Sequence, residues 1–408
     1  MAKAPPSLLL LPPPPTIVSA ASLSAAYKPS ISGTVSALKT LPTSTELQVV
    51  LPCPGLHGRL QRPRSELYHE VQSLLTGVYS LICAVCAHLE VEVESDNPSA
   101  VDARILLLNY DGSQSVSEDF VFDAQVAGPI IDLATLAVTR RRWHRIFSVD
   151  GEEGQKLLAN FTTLANRTTP PLSVPVSTVG GGVSLVQRAS DSPRSPPGSV
   201  SSHLVVIVAG TFDHLHAGHK LLLTTTALLL QPASKASTAP RRLIVGITGD
   251  ELLKNKKYAE YLGTWEQRQD DVVDFLLSIL CFTRSSSEEA IRTDYLDEPG
   301  PNGRAIHTTL KACSIRIECV EIQDPFGPTI TDESITALVV SGETRSGGQA
   351  VNDKRTDQGW KSLEIFEVDV LNADQTEDEG TETADFGSKI SSTAIRKRLA
   401  EKASTMVL

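Results

Sequence analysis

The second half of the chain alternates short apolar runs with segments of helical spacing, and this alternation constrains the fold more than any other feature. Residues 204–209 and 243–248 are continuous apolar runs rich in β-branched side chains, the pattern of parallel strands buried on both faces. Residues 219–230, between them, have the pattern of a helix. A strand, a helix and a second strand in this order predict a βαβ unit with a right-handed crossover.

The alternation continues to the end of this half of the chain. Further strands are predicted at 315–322, 337–341 and 363–371, and further helices at 265–280, 349–359 and 391–402. This order of elements predicts an α/β fold with a Rossmann-like, doubly wound parallel sheet. Ligands bind such a sheet at the carboxyl ends of its strands, near the point where the strand order reverses.

The residues before this sheet are predicted to form a separate unit. Residues 170–202 contain three consecutive glycines and a run of Ser and Pro, the composition of a flexible linker. Residues 1–169 contain a helical apolar stripe at 71–89 and a strand-like run at 104–109, which predict a smaller α/β N-terminal module. The predicted division is therefore 1–169, a linker at 170–202, and a larger α/β domain at 203–408.

Charge and composition exclude several classes of protein. The net charge of -11, from 37 basic and 48 acidic residues, argues against a nucleic-acid binder. Polar residues interrupt the apolar stretch 71–89, so it predicts a core helix and no membrane span. Six cysteines are too few for a disulfide scaffold and favour a cytoplasmic location. The absence of acidic residues before Glu46 keeps a mitochondrial transit peptide as the alternative.

The loop after the strand at 204–209 carries the first candidate site. Within it, His216 and His219 are three residues apart at the predicted start of a helix, so both can face one ligand. Gly218 leaves the backbone amides open to a phosphate, and the helix N-terminus adds partial positive charge. For Asp213, a hydrogen bond within its own turn is an equal alternative to a functional role.

A second candidate group lies far away in the sequence. Ser391, Ser392 and Thr393 precede a predicted basic helix, and Arg396 follows one turn later. Three hydroxyls at a helix start can bind a phosphate, and the forked guanidinium of an arginine can support it. Alone, these residues would indicate an ordinary helix cap. Combined with the two histidines, they indicate a phosphate site.

Together these motifs resemble those of a known enzyme superfamily. GTFDHLHAGHK at 210–220 and KISSTAIRKR at 389–398 resemble the HxGH nucleotidyltransferases. The stretches at 250–256, 324–328 and 339–344 are similar to the eukaryotic-type pantetheine-phosphate adenylyltransferases. This resemblance covers 203–402. Residues 101–107 resemble, more loosely, the segment before the adenylyltransferase part of CoA synthase. A G-x-x-x-x-G-K-S/T loop is absent from the sequence, so the kinase activity of CoA synthase is not expected.

The resemblance implies a reaction and a set of residues. The reaction is transfer of the adenylyl group of ATP to 4'-phosphopantetheine, giving dephospho-CoA and pyrophosphate, in coenzyme A biosynthesis. The implied catalytic residues are His219, His216 and Lys254, with Lys256 as an alternative lysine. The implied ATP-binding residues are Gly210, Thr211, Phe212, Gly218, His219, Ser391, Ser392, Thr393 and Arg396. The implied substrate-binding residues are Thr211, Lys254, Lys256, Asp324 and Glu343.

The resemblance also implies partners, and it leaves alternatives open. Mg²⁺ is expected with ATP, without dedicated protein ligands, and association with other CoA-biosynthesis enzymes is expected. The six acidic residues within 374–385 indicate a flexible insertion and no metal site. A cytidylyltransferase acting on another phosphoester is one alternative function, and a catalytically silent scaffold of the CoA pathway is another. We expect residues 203–408 alone to retain activity.

Overall fold

Two largely parallel sheets, each covered by helices, build the protein. The computed structural model describes residues 4–57, 59–60, 62–93, 99–112, 127–183, 201–233, 240–283, 290–300, 303–371 and 391–406. Most of the predicted linker and the acidic segment 374–385 lie outside these residues. Within them the fold is α/β, with a Rossmann-like arrangement, as predicted.

The first domain is a six-stranded sheet in which every strand pair is parallel. Its strands are β1 (Ser7–Leu10), β2 (Thr45–Pro52), β3 (Val101–Leu108), β4 (Ile130–Ile131), β5 (Ile146–Val149) and β6 (Val176–Val179). Their spatial order is β4-β3-β2-β1-β5-β6. The helices between them are α1 (Ala20–Leu38), α2 (Ser65–His88), α3 (Leu133–Thr139) and α4 (Glu152–Ala165). This domain is the smaller α/β module that the sequence predicts, and its sheet has one strand fewer than that of the second domain.

Strand β6 lies inside the range that the composition predicts to be linker. It pairs in parallel with β5 from Ile146–Val176 to Val149–Val179. The backbone N–H of Val183 then donates to Ala25 of α1 at 2.9 Å. The prediction that the linker begins at residue 170 is therefore wrong, and the first domain extends through Val183. A four-residue edge strand beside three glycines and several prolines has too little apolar pattern to be recognised.

The second domain is a seven-stranded sheet. Its strands are β7 (Val205–Gly210), β8 (Arg241–Thr248), β9 (Ile291–Gly300), β10 (Gly303–Leu310), β11 (Ile315–Ile322), β12 (Ala337–Ser341) and β13 (Glu364–Val368), in the order β13-β12-β7-β8-β11-β10-β9. The helices are α5 (Ala217–Leu229), α6 (Trp265–Leu280), α7 (Arg345–Asp357) and α8 (Ser392–Met406). The strand order reverses between β7 and β12, so the carboxyl ends of these two strands border the expected ligand crevice.

The five predicted strands of the second sheet pair in parallel, and the sheet also contains two strands that the sequence did not predict. Strands β9 and β10 form an antiparallel hairpin that extends the sheet beyond β11. The sequence of β9 mixes Arg, Asp, Glu, Pro and Gly with its apolar residues, and its described side chains are mostly exposed. An exposed edge hairpin needs no continuous apolar run, so the strand pattern that reveals buried strands is missing here.

The two domains share one apolar core. Helix α2 packs against α5, and the rings of Tyr68 on α2 and Phe366 on β13 have centroids 4.9 Å apart. By length and composition α2 is the one helix among the described residues that could cross a membrane. In the structure 61% of its apolar window is buried, and twelve of its apolar residues lie in the core. This is the environment of the core helix that the sequence predicts.

Candidate active site

The loop between β7 and α5 turns sharply above the buried ring of Phe212. Phe212 and His214 have φ values of +51° and +47°, in the left-handed region that non-glycine residues rarely adopt. Such conformations cost about 1–3 kcal/mol each and persist where the surrounding structure holds them. Phe212 is fully buried below the loop, and its ring lies 5.3 Å from that of His219. The loop is therefore anchored from below while its upper side stays open.

His216 and His219 come together at the start of α5. Their ring centroids are 3.9 Å apart and their planes differ by only 20°, so the rings are stacked. A Cβ atom on Gly218 would lie 3.1 Å from Cε1 of His216. Because this is tighter than an ordinary contact, a side chain at 218 would push the His216 ring out of the stack. Gly218 thus has a steric role beside the one predicted from phosphate access.

Both histidines are held in the neutral form. Burial, followed by the charges of His214 and Lys220, lowers the pKa of His219 to about 3. The pKa of His216 is also well below its ordinary value, mainly through burial and the neighbouring His219. Both Nδ1 atoms are buried without a hydrogen-bond partner among the described residues. At neutral pH the pair can therefore offer N–H donors to a phosphate without carrying positive charge.

The start of α8 is docked onto the same loop. The fully buried Asp213 accepts a hydrogen bond from Nη1 of Arg396 at 2.5 Å, and its carbonyl oxygen accepts one from Oγ of Ser392 at 2.9 Å. Oδ1 of Asp213 accepts the N–H of Gly263 at 3.1 Å. The bonds of Asp213 thus reach two distant segments, whereas the alternative prediction confined them to its own turn. The two predicted motifs meet through this residue.

The hydroxyls ahead of α8 have local partners as well. Oγ of Ser391 accepts the N–H of Ala394 at 3.3 Å, which is the ordinary cap that the sequence also allowed. Thr393 accepts a hydrogen bond from Nη2 of Arg396 at 3.2 Å. Arg396 is buried, and its Nε donates to the carbonyl of Lys257 at 3.1 Å. Because every nitrogen of this guanidinium has a partner, Arg396 supports the start of α8 more directly than it can support a ligand.

A cavity of about 490 Å³ opens over these motifs. This volume is in the range of small-molecule sites, about 300–1,000 Å³. The predicted site residues that line it are Gly210, Thr211, His216, Gly218, His219, Lys256, Glu343, Ser391, Ser392, Thr393 and Arg396. They come from loops after β7, β8 and β12 and from the start of α8. The cavity therefore lies at the crevice that the strand order predicts.

Three predicted site residues do not line the cavity. Phe212 is buried beneath the loop and acts as its support. Lys254 is two-thirds exposed and pairs with Glu251 at 2.5 Å, so Lys256 is the lysine of the cluster that reaches the cavity. Oδ1 of Asp324 accepts the N–H groups of Phe326 and Gly327 at 2.7 and 2.8 Å. Asp324 therefore stabilises its own turn.

Sequence reasoning missed residues that shape the cavity from below and from the side. Arg268 on α6 is buried and donates to the carbonyls of Thr211 and Thr248 at 2.7 and 2.8 Å. Nε2 of Gln72 on α2 donates to Asp369 in the cavity wall at 2.7 Å. In both helices a polar residue stands within the apolar face. That interruption is the signal by which the sequence could have revealed them.

Comparisons with known proteins are consistent with this site. Residues 1–185 match a family described as a domain of unknown function (DUF8446). The chain is 37% identical over 207 residues to an uncharacterized protein of Schizosaccharomyces pombe, covering 50% of this chain and 51% of that one. It is 32% identical over 208 residues to the phosphopantetheine adenylyltransferase of Saccharomyces cerevisiae, covering 51% and 52%. It thus spans about half the length of these two fungal relatives.

A third relative is covered almost completely. The chain is 31% identical over 194 residues to the phosphopantetheine adenylyltransferase of Thermococcus gammatolerans, which is 48% of this chain and 88% of the archaeal protein. The matched length is close to that of one domain of the present fold. The chain therefore belongs to the phosphopantetheine adenylyltransferase family.

Proposed function

We propose that this protein transfers the adenylyl group of ATP to 4'-phosphopantetheine, releasing pyrophosphate and forming dephospho-CoA. The observation that carries the proposal is the meeting of two neutral, stacked histidines with the start of α8 over one cavity. The relatives named phosphopantetheine adenylyltransferase support the choice of substrates.

The chemistry needs no general base. The attacking group is a phosphate monoester whose second pKa is about 6, so it is largely ionised at neutral pH. One of its oxygens forms a bond to the α-phosphorus of ATP, and the bond from that phosphorus to the bridging oxygen breaks. Pyrophosphate leaves with the electron pair of the broken bond. The protein has to align two anions and to stabilise the charge that develops at the α-phosphate.

Different residues in the cavity wall bind different phosphoryl groups of the two substrates. His219 and His216 donate hydrogen bonds to the α-phosphate, where neutral donors can stabilise the additional charge that develops in the transition state. Lys256 supplies a cation that can bridge the two phosphoryl groups, and Thr211 binds the phosphate of pantetheine. The backbone and hydroxyls at the start of α8 receive the β- and γ-phosphates. Arg396, bound to Asp213, holds this helix start in place.

Magnesium enters as part of the substrate MgATP. Among the described residues no group of three or more His, Cys, Asp or Glu side chains could hold a metal ion. The triphosphate itself is therefore expected to carry the ion, which neutralises part of its charge.

An assay with two nucleotides tests the proposal. Purified protein is mixed with 4'-phosphopantetheine and either MgATP or MgCTP, and pyrophosphate and dephospho-CoA are measured. We expect turnover with ATP and a loss of at least about a hundredfold in the His219→Ala variant, the effect of removing one transition-state donor. Preference for CTP would favour the cytidylyltransferase alternative. No turnover with either nucleotide would favour the scaffold.

A further inference from the structure

A second cavity lies between the two domains, at the amino ends of the strands of the second sheet. Its volume is about 150 Å³, and it is bordered by the start of α2, by β4 and by the C-terminal end of α5. Arg64 and Arg241 both line it. Arg241 is the first residue of β8, whereas the candidate active site lies at the carboxyl ends of the same parallel strands. The two cavities are therefore at opposite ends of the strands.

Arg64 is a buried cation for which the described residues supply no ion-pair partner. Its side chain is only 9% exposed, and Nε and Nη1 have no hydrogen-bond acceptor in the part of the chain that the structure describes. No described carboxylate forms an ion pair with it. A buried charge is normally compensated by a counter-charge or by hydrogen bonds, so an unpaired guanidinium facing a cavity indicates a missing acceptor.

Arg241 adds a second positive charge to the same cavity. Its side chain is buried, and its guanidinium donates to the backbone carbonyls of Gln231 and Cys313. No described acid lies in the cavity wall. Burial and the charge of Arg241 lower the pKa of Arg64 to about 10, so Arg64 still carries its charge at neutral pH. Two like charges facing one small space attract an anion.

We propose that this cavity binds a small oxyanion of the size of inorganic phosphate, held by Arg64 with Arg241 beside it. The volume corresponds to about five water molecules at ~30 Å³ each, which suits a phosphate group and is too small for a nucleotide. The planar guanidinium fork matches the oxygens of a phosphate. The bound anion would join the first domain to the end of α5 that is remote from His219.

Thermal unfolding of the full chain tests this site. Phosphate is titrated at constant ionic strength, with sodium chloride as the compensating salt, in the presence of saturating MgATP to keep the candidate active site filled. We expect a saturable rise of the unfolding temperature of about 3 °C. Arg64→Gln should abolish the rise. The control is Arg62→Gln, which removes an exposed arginine that pairs with Glu66 at 3.7 Å, and it should respond like the wild type.

A second arm distinguishes the source of the anion. A response to inorganic phosphate alone identifies a free oxyanion, and an equal response to glucose 6-phosphate identifies the phosphate group of a larger molecule. The proposal is wrong if the wild type responds to phosphate no more than to chloride. It is also wrong if a folded Arg64→Gln variant responds like the wild type. A wild type that responds to phosphate no more than to chloride refutes the proposal even if Arg64→Gln does not fold, and in that case Arg64→Lys, which keeps the charge but loses the fork, should respond more weakly than the wild type.

Discussion

Nζ of Lys220 lies 2.5 Å from Oδ1 of Asp102, and this ion pair ties the residue that follows His219 to the sheet of the first domain. Both side chains are buried. Oδ2 of Asp102 also pairs with Arg104 at 2.8 Å, and Arg104 reaches Asp274 on α6 at 2.7 Å. The first turn of the helix that carries the histidine pair is thus held by charges from the other domain.

Replacing Asp102 should destabilise the protein and disturb the site. In Asp102→Asn the buried Lys220 loses its counter-charge, which typically costs about 3–5 kcal/mol in the free energy of unfolding. Turnover should fall as well, because α5 is no longer fixed. The control is Glu66→Gln, which breaks the half-exposed pair with Arg62 and should cost less than about 1 kcal/mol. Urea unfolding and steady-state kinetics measure both effects, and a neutral Asp102→Asn would contradict the role given to this pair.

Asp102 should also make the protein sensitive to acid. Burial would raise the pKa of Asp102, but Lys220 and Arg104 outweigh it and hold this pKa well below its ordinary value. The unfolded chain, whose aspartates have a pKa of about 3.9, then takes up the proton first. The contribution of Asp102 to the free energy of unfolding is therefore complete above about pH 5 and is lost as the pH falls below about 4. Between pH 5 and pH 3 the free energy of unfolding should fall more in the wild type than in Asp102→Asn. Equal losses would contradict the stabilising role of the Asp102 charge.

His219 should remain neutral throughout the physiological range. Its pKa is lowered to about 3, chiefly by burial, so it takes up no proton between pH 5 and pH 8. NMR of histidine-labelled protein should show ring shifts of His219 that are constant over this range. A midpoint near pH 6.5 for His219 would show that the ring is open to water and charges readily.

The two neighbouring lysines provide a matched pair of variants. Lys256 lines the cavity, whereas Lys254 is paired with Glu251 at the surface. Lys256→Ala should lower kcat/KM by at least about tenfold, since a cation that bridges two phosphoryl groups is removed. Lys254→Ala should change it by less than about twofold, because an exposed ion pair contributes little. A larger loss in Lys254→Ala than in Lys256→Ala would instead support Lys254 as the catalytic lysine that the resemblance implies.

Residues 203–408 alone are expected to be insoluble or inactive. This reverses the expectation from sequence, because α5 packs against α2 and Lys220 would lose Asp102. Gln72 would no longer hold Asp369 in the cavity wall. Expression of this fragment, with circular dichroism and the two-nucleotide assay, measures the outcome. Full activity in a soluble, monomeric fragment would show that the first domain is dispensable to the site.

The sequence revealed buried strands and local motifs but not the contacts between domains. Strands β11 and β12 have the predicted bounds, because β11 alternates apolar and charged residues and β12 is a continuous apolar run. The edge strands β6 and β9 carry mixed or glycine-flanked sequences, so no such run marks them. His216, His219 and the hydroxyls near 392 were found because their spacing is local. The pairs Lys220–Asp102 and Gln72–Asp369 join residues far apart in the sequence, and only the packing of α5 on α2 brings them together.

The hydrogen bonds between Asp213 and the start of α8 set an order of events during synthesis. Asp213 and Arg396 are separated by 183 positions along the chain. The ribosome releases the stacked histidines and the first strands of the sheet long before residue 396 emerges. Until then the carboxylate of Asp213 has no guanidinium to neutralise it, and the left-handed loop lacks one of its supports. A nascent chain therefore carries the histidines before the candidate site is complete, so the proposed nucleotide binding can begin only once α8 has been made.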